Sequence, residues 1–322
     1  MTKVSVIIPN WNGRKLLPVC FKAVFSQTFT DFEVIVVDNG SADGSAAFVK
    51  KNYPKVKLIR LQKNLGFAPA VNRGIIESQS QYIALLNNDA KPDKNWLLNL
   101  YGEIVSRPEV FAVVPKVINA ANKKIIDNAG DKINIVGQAQ ARGKGDDVNK
   151  YDKAGYIFGA SGAASLFKRE VFDRLGKFDE DFFFYFEDVD FSLRAQLAGF
   201  KCWYQPKATV YHLGQATAAK LGDFVEYQRF RNTIFLVIKN FPVKLFFMRN
   251  RWWKIPIVWL HTFYFFARSG LGKVAFKVFL DVIIYFPKLI RKRFKIMKIR
   301  KVDICYLDQL MEDKKLKIFG LR

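Results

Sequence analysis

A chain of 322 residues that is 50% hydrophobic can bury the core of one large α/β domain and still carry an appendage. Its net charge of +23 sits in company with abundant Phe, Trp and Tyr, which fits an anionic membrane surface better than nucleic acid, so no nucleic-acid partner is expected. Cys20, Cys202 and Cys305 make no spaced pair and no metal pattern, which argues for a reducing compartment and structural thiols.

Residues 4–9 read as a strand. Their apolar core, 4–8, is too short for a secretory signal and runs directly into Pro9 and Asn10. Helix is expected over 13–26, strand over 32–38, helix over 44–51, and strand over 56–61. Helix 67–78, strand 82–86 and helix 92–106 continue the alternation. Such spacing implies a parallel sheet covered by helices, with ligands beyond the carboxyl ends of the strands. Polar residues gather there: Asn10, Asn12, Asp38, Asn39, Asn87, Asn88 and Asp89.

From 110 to 141 the pattern is β-like without clear crossover helices. Residues 142–152 (RGKGDDVNKYD) are polar and glycine-containing, as expected of a mobile loop. Strands are expected over 157–168 and 201–212, flanking a helix at 187–198, with a further helix over 224–239. No internal repeat or low-complexity tract is present in the sequence.

Five segments carry candidate chemistry. VSVIIPNWNG ends a buried strand in a polar loop, and VVDNGSADGS puts Asp38 at the end of the next. Asp38 is placed either to receive a base imide or a ribose hydroxyl, or to cap the following turn. KNLGFAPAVNRG offers Gly66 for close backbone approach and Asn72 within the helix it opens; an ordinary loop and helix start reads the same way. LLNNDA places Asp89 where a cation bridging a diphosphate needs a carboxylate, or simply in a turn.

The fifth segment is the most specific. Glu187, Asp188 and Asp190 crowd a helix start after the aromatic residues 182–186. First-turn acids complement a helix dipole, but apolar walls also raise a carboxylate's pKa toward general-base duty. Arg194, four residues after Asp190, can pair with it on one helical face. His212 ends the next strand, either as a structural histidine or near the carboxylates as a ligand.

The ordered set PNWNG, VVDNGSADGS, NLGFAPAVNRG, LLNNDA and FFFYFEDVDFSLRAQLAG closely resembles family 2 glycosyltransferases, especially the rhamnosyltransferase-like branch, over roughly residues 1–240. The resemblance implies an α/β GT-A fold: a Rossmann-like mixed sheet with helices on both faces. It also implies a nucleotide-sugar donor, Mg²⁺ or Mn²⁺, and inversion at the anomeric carbon. By position, Pro9, Asn10, Asn12, Asp38, Asn39, Gly66, Asn72 and Asn88 would line the donor. Asp89 and His212 would hold the metal, Asp188 would be the catalytic base, and Gly162, Glu187, Asp190 and Arg194 would lie around the acceptor or behind the base. One departure is evident: many members carry Asp-x-Asp where this chain has Asn87-Asn88-Asp89, so the cation would arrive largely with the diphosphate.

Residues 220–322 hold 23 Lys/Arg against 7 Asp/Glu, a net of +16, whereas residues 1–219 hold 29 against 22. Within the region 241–322, the apolar runs 255–267 and 274–286 are each thirteen residues, short of the roughly 20 that span a bilayer. Lys273, Lys277, Asp281 and Lys288 fall on one helical stripe, flanked by Arg249, Arg251, Lys254 and 291–293. That is the pattern of interfacial helices, or of a helical subdomain packed on the catalytic domain or a second subunit. The sequence therefore reads as an inverting, metal-dependent glycosyltransferase on the cytoplasmic face of the plasma membrane, acting on a lipid-linked glycan with dTDP-rhamnose or a UDP-hexose. The rivals are a sugar nucleotidyltransferase, which would want a basic triphosphate loop that 10–13 lacks, and a nucleotide-sugar-binding scaffold without transfer.

Overall fold

The computed structural model describes residues 2–214, 222–248 and 252–311. Its first half runs β1 (Val4–Asn10), α1 (Leu17–Val24), β2 (Phe32–Asn39), α2 (Ser45–Asn52), β3 (Lys57–Leu61), α3 (Phe67–Glu77), β4 (Tyr82–Leu85), β5 (Ala90–Pro92), α4 (Trp96–Ser106) and β6 (Val110–Asn119). Then follow β7 (Ile126–Asn128), β8 (Asp131–Ile133), β9 (Ala139–Ala141), β10 (Gly155–Ile157), β11 (Leu166–Lys168), α5 (Arg169–Leu175), α6 (Glu187–Leu197) and β12 (Lys201–His212). A helical layer closes the chain: α7 (Asp223–Asn240), α8 (Val243–Phe247), α9 (Lys254–Arg268), α10 (Gly272–Lys298) and α11 (Ile304–Leu310).

The two-residue period of the strands builds a core on both faces of the sheet. In β1, Val4, Val6 and Ile8 enter one apolar cluster and Ile7 the other; in β2, Val34 and Val36 oppose Ile35 and Val37. Helices α1 and α4 cover the first face, and α3, α5 and α6 the second. Among the described residues ten strands form one sheet in the order β10-β12-β6-β11-β4-β1-β2-β3, with β5 on β12 and β7 on β6. The pairs β1–β2, β1–β4, β2–β3 and β6–β12 are parallel, as the alternating elements require. β11, with no crossover helix before it, enters antiparallel between β4 and β6 and makes the sheet mixed.

Several boundaries differ from expectation for local reasons. The first helix starts at Leu17, not 13, because residues 13–16 turn tightly under Gly13. The helix expected from 92 starts at Trp96, since Ala90–Pro92 pair with β12. The strand expected over 157–168 is two, β10 and β11, and the chain between them bends through the site. Residues 142–152 are anchored, with Tyr151 Oη donating to Asp146 at 2.6 Å and Arg142 donating to the Ala129 carbonyl at 3.0 Å. Cys20 and Cys202 are buried, and burial pushes the Cys20 thiol up to about 12; Cys305 is exposed and so is no core thiol.

The helical layer joins the domain through a buried ionic network. Lys239 of α7 donates to Asp179 at 2.5 Å and to Asp190 of α6 at 2.7 Å. Lys292 of α10 reaches Asp179 at 2.5 Å and Asp181 at 2.7 Å, and Lys288 reaches Asp181 at 2.5 Å. Burial would raise the Asp179 carboxyl, but Lys239 and Lys292 hold it far below the usual carboxylate range. Lys239→Ala removes the cation shared by two buried carboxylates but leaves Asp179 with Lys292 and Asp190 with Arg194, so it is expected to cost about 1.5–3 kcal/mol of folding stability, read by urea denaturation. A depressed carboxylate stabilises the fold above its unfolded pKa of about 3.9 and ceases to as pH falls through its folded value, so wild type and variant should converge in acid.

The tail departs furthest from expectation. α10 is one helix of 27 residues passing through Pro287; it buries Ala275, Val278, Leu289 and Ile296, and its charged stripe runs along the edge of that face, with Asp281 partly buried and Lys273, Lys277 and Lys288 exposed. Asp281 accepts the Tyr227 hydroxyl and lies 3.8 Å from Arg231, while the Lys277 ammonium sits 4.4 Å from the Tyr227 ring centre. The outward face is apolar, with Leu260 67%, Phe276 63% and Ile284 68% exposed, beside Trp252, Trp253 and Ile257. Arg249 and Arg251 lie outside the described residues. No helix among the described residues is long and apolar enough to cross a membrane.

Candidate active site

The carboxyl ends of β1, β2 and β4 open into a cleft of about 1610 Å³. Its floor is a relay of amides. Asn88 donates to Asn10 Oδ1 at 2.8 Å, and Asn10 donates to Asp38 Oδ1 at 3.1 Å. A side chain at Gly13 would stand 2.2 Å from the Asn88 amide nitrogen and 2.4 Å from Asn10 Oδ1, so any other residue there would push the two amides of this relay aside. Pro9, Asn10, Trp11, Asn39, Gly66, Asn88 and Asp89 line this end.

At the far side β12 delivers His212 beside Asp89. Its Nδ1 is 2.7 Å from Asp127 Oδ2, and its Nε2 is 3.0 Å from Asp89 Oδ1. Nε2 is buried yet has no aligned hydrogen-bond partner. Burial opposes protonation, but the Asp127 hydrogen bond and the charges of Asp127 and Asp89 hold the imidazole up at about 9. The same imidazole holds Asp127 below its usual value against burial. A buried ring nitrogen abutting a carboxylate oxygen, oriented from behind by a second carboxylate, is a donor pair suited to a divalent cation. Among the described residues no three His, Cys, Asp or Glu side chains are arranged to hold one, so the remaining ligands would come from the diphosphate and water.

Across the cleft stands Asp188, in the first turn of α6. Its Oδ2 accepts the Gly162 N–H at 2.9 Å, and its Oδ1 accepts the Val189 N–H at 2.9 Å. Burial raises this carboxyl's pKa despite those two donors. Glu187 beside it is pushed well above the carboxylate range by burial and then by the charge of Asp188, and its Oε2 has no hydrogen-bond partner. Asp131, at the start of β8, is likewise raised by burial and by Asp188. The mouth is walled by residues 183–186, the β8–β9 hairpin, and Phe224, Val225 and Arg229 of α7.

Five expected site residues do not line the cleft. Asn12 bonds within the neighbouring turn, its Oδ1 accepting the Ala42 N–H at 2.9 Å. Asp38 is buried against Asn10 and the Ser41 N–H. Asn72 is engaged on both sides of its amide by Phe178 and donates to Glu180 at 3.0 Å, which makes it a brace for the loop after α5. Asp190 and Arg194 pair at 2.9 Å, and Arg194 also holds the carbonyls of Leu175, Gly176 and Lys177. These two form a buried brace in α6, behind the cleft wall. Asp127, Asp131 and Arg229 were missed, because the segment 110–141 lacks a clear pattern and the helix expected over 224–239 gave no sign of which side chain reaches the cleft.

With this architecture in view, the comparisons with known proteins agree. The glycosyl transferase family 2 model matches residues 5–176, more than half of the chain, and the protein belongs to that family. An uncharacterized Sinorhizobium fredii protein is 28% identical over 249 residues, 72% of this chain but about a quarter (26%) of its own length. The Mycobacterium tuberculosis N-acetylglucosaminyl-diphospho-decaprenol L-rhamnosyltransferase is 26% identical over 253 residues, 70% of this chain and 78% of that one. The fold resembles the mannosyltransferase PcManGT of Pyrobaculum calidifontis, solved with GDP-Man and Mn²⁺, at a TM-score of 0.56 and 16% identity over 98% of this chain and 88% of that one.

Proposed function

We propose that the protein is an inverting glycosyltransferase that moves a sugar, from dTDP-rhamnose or a UDP-hexose, to a hydroxyl of a lipid-linked glycan in cell-surface polysaccharide assembly. The observation that carries this reading is Asp188. It is a raised-pKa carboxylate, fixed by two backbone N–H groups, facing the cleft that holds the Asp89–His212 pair. Asp188 takes the proton of the acceptor hydroxyl as that oxygen forms its bond to the anomeric carbon, and the bond to the nucleoside diphosphate breaks on the opposite face. Asn10, Asn39, Gly66 and Asn88 orient the donor. Asp89 and His212 would hold Mg²⁺ or Mn²⁺ together with the donor's own diphosphate, and the cation would supply Lewis-acid neutralisation of the leaving group. The diphospholipid acceptor named for the mycobacterial relative supports the acceptor class. A thermal-shift screen of UDP-, dTDP- and GDP-sugars with Mn²⁺ tests the donor assignment; no stabilisation by any of them contradicts it.

In this reading residues 1–240 form the catalytic domain and residues 241–322 its membrane-associating region on the inner face of the plasma membrane. Exposed apolar side chains such as Leu260, Phe276 and Ile284, bordered by the exposed Lys273, Lys277 and Lys288, suit the acyl boundary of an anionic bilayer with the lysines at the headgroups. The region is no detachable anchor, however. Removing everything after Lys239 deletes Lys288 and Lys292, so truncation is expected to unfold the protein and does not yield a soluble donor-binding core. Surface substitution is the cleaner test: a Leu260→Asp, Ile284→Asp double variant should stay folded and cease to pellet with anionic vesicles. If wild type ignores such vesicles but dimerises, and the double variant is monomeric, the apolar face is an interface between subunits.

A further inference from the structure

The wall that presents Asp188 is strained. Phe183, Tyr185 and Phe186 have φ of 62°, 66° and 71°, the left-handed region that bulky side chains disfavour. Such backbone persists only where its surroundings over-determine it. Much of the restraint comes from one side chain. Asn232 of α7, fully buried, donates its amide to the carbonyls of Phe182 at 2.9 Å, Phe184 at 3.0 Å and Tyr185 at 2.8 Å. Two N–H groups thus serve three acceptors around the bend. The amide is itself aimed: Arg231 Nε donates to Asn232 Oδ1 at 3.1 Å, and the same guanidinium reaches the Asp181 carbonyl at 2.6 Å.

The loop so held touches both halves of the chemistry. The Phe183 carbonyl accepts the Phe67 N–H at 2.7 Å, at the start of the helix that follows donor-side Gly66, and a side chain at Gly66 would stand 2.5 Å from that oxygen. The Phe186 carbonyl accepts the Asp190 N–H at 2.8 Å, closing the first turn of α6 around Asp188.

We propose that Asn232 is a positioning residue for the transfer step. It pins the strained bend 182–185 and thereby sets where the Asp188 carboxylate stands in the cleft. The inference rests on Asp188 as the base, and it makes the helical layer part of the active site. The test compares Asn232→Ala with Asp188→Asn and with Thr262→Val, which removes a buried hydroxyl bond in the same layer away from the loop. Turnover is read as nucleoside diphosphate released from the sugar nucleotide that stabilises the protein most, with donor KM, Mn²⁺-dependent nucleoside diphosphate affinity and Tm measured alongside.

Asn232→Ala is expected to lower kcat roughly 10- to 100-fold, the effect of displacing a reacting group by about an ångström, with donor KM and affinity unchanged. Thr262→Val should lower Tm and leave kcat intact. Should Asn232→Ala not fold, Arg231→Lys, which removes the guanidinium aiming the amide while keeping the charge, must lower kcat in the same direction. Unchanged kcat in a folded Asn232→Ala protein, or a loss matched by Thr262→Val at equal Tm, overturns the inference. If Asn232→Ala is fully active while Asp188→Asn is dead, the positioning role fails and the base assignment stands. An active Asp188→Asn protein removes the base assignment and this inference with it.

Discussion

Asp188→Asn is expected to lower kcat by roughly 10²–10⁴-fold while leaving nucleoside diphosphate affinity intact, because the base acts only as the acceptor proton leaves. The amide is isosteric, and its Oδ1 can still accept the Gly162 or Val189 N–H. Burial penalises the carboxylate's charge, which offsets the one N–H bond the amide loses, and a Tm measured alongside separates lost turnover from unfolding. The same burial carries a pH signature. A base works deprotonated, so kcat/KM must fall as pH drops through the Asp188 pKa, and that acid limb should lie above the ordinary aspartate value of about 3.9. Near-normal turnover of a folded Asp188→Asn protein, or an acid limb at the ordinary value, would sink the assignment.

Asp89→Ala is expected to abolish the tightening of nucleoside diphosphate binding by Mn²⁺, since the diphosphate loses its bridging cation. His212→Ala should weaken that tightening less, as the diphosphate and Asp89 remain. Asp127→Asn should cost roughly 10- to 100-fold in cation affinity without touching the cation, because it removes the carboxylate that orients His212 through Nδ1. Calorimetric titration of UDP, dTDP and GDP with Mn²⁺ and with EDTA reads all three. Equal affinity under both conditions in the unsubstituted protein contradicts the metal assignment outright.

Most of what positions the donor end was legible in the sequence. Strands of Val and Ile broken by Asn, Asp and Gly announce both the sheet and the edge where polar residues collect, and Asn10, Asn39, Asn88 and Asp89 do meet there. First-turn acids after an aromatic run likewise located Asp188. The misses share a physical cause: periodicity identifies a stripe but not its partner. Lys277, Asp281 and Lys288 form a stripe, yet whether it faces water or protein depends on Tyr227, Arg231 and Asp181, which only tertiary packing brings opposite. Asn72 is assigned to the donor by family resemblance alone, and its hydrogen-bond partners lie more than a hundred residues away in sequence. Asp127 and Asp131 lie among short strands with no repeating pattern, and Asn232 is one polar residue in a helix whose purpose is set by three carbonyls elsewhere.

The central claim is a single displacement at the anomeric carbon. It is tested most directly by time-resolved proton NMR of the sugar released or transferred from the donor that stabilises the protein, with Mn²⁺ present. The account predicts that the first-formed product carries the anomeric configuration opposite to the donor's, and that Asp188→Asn forms it far more slowly. A first-formed product that retains the donor's configuration would contradict it.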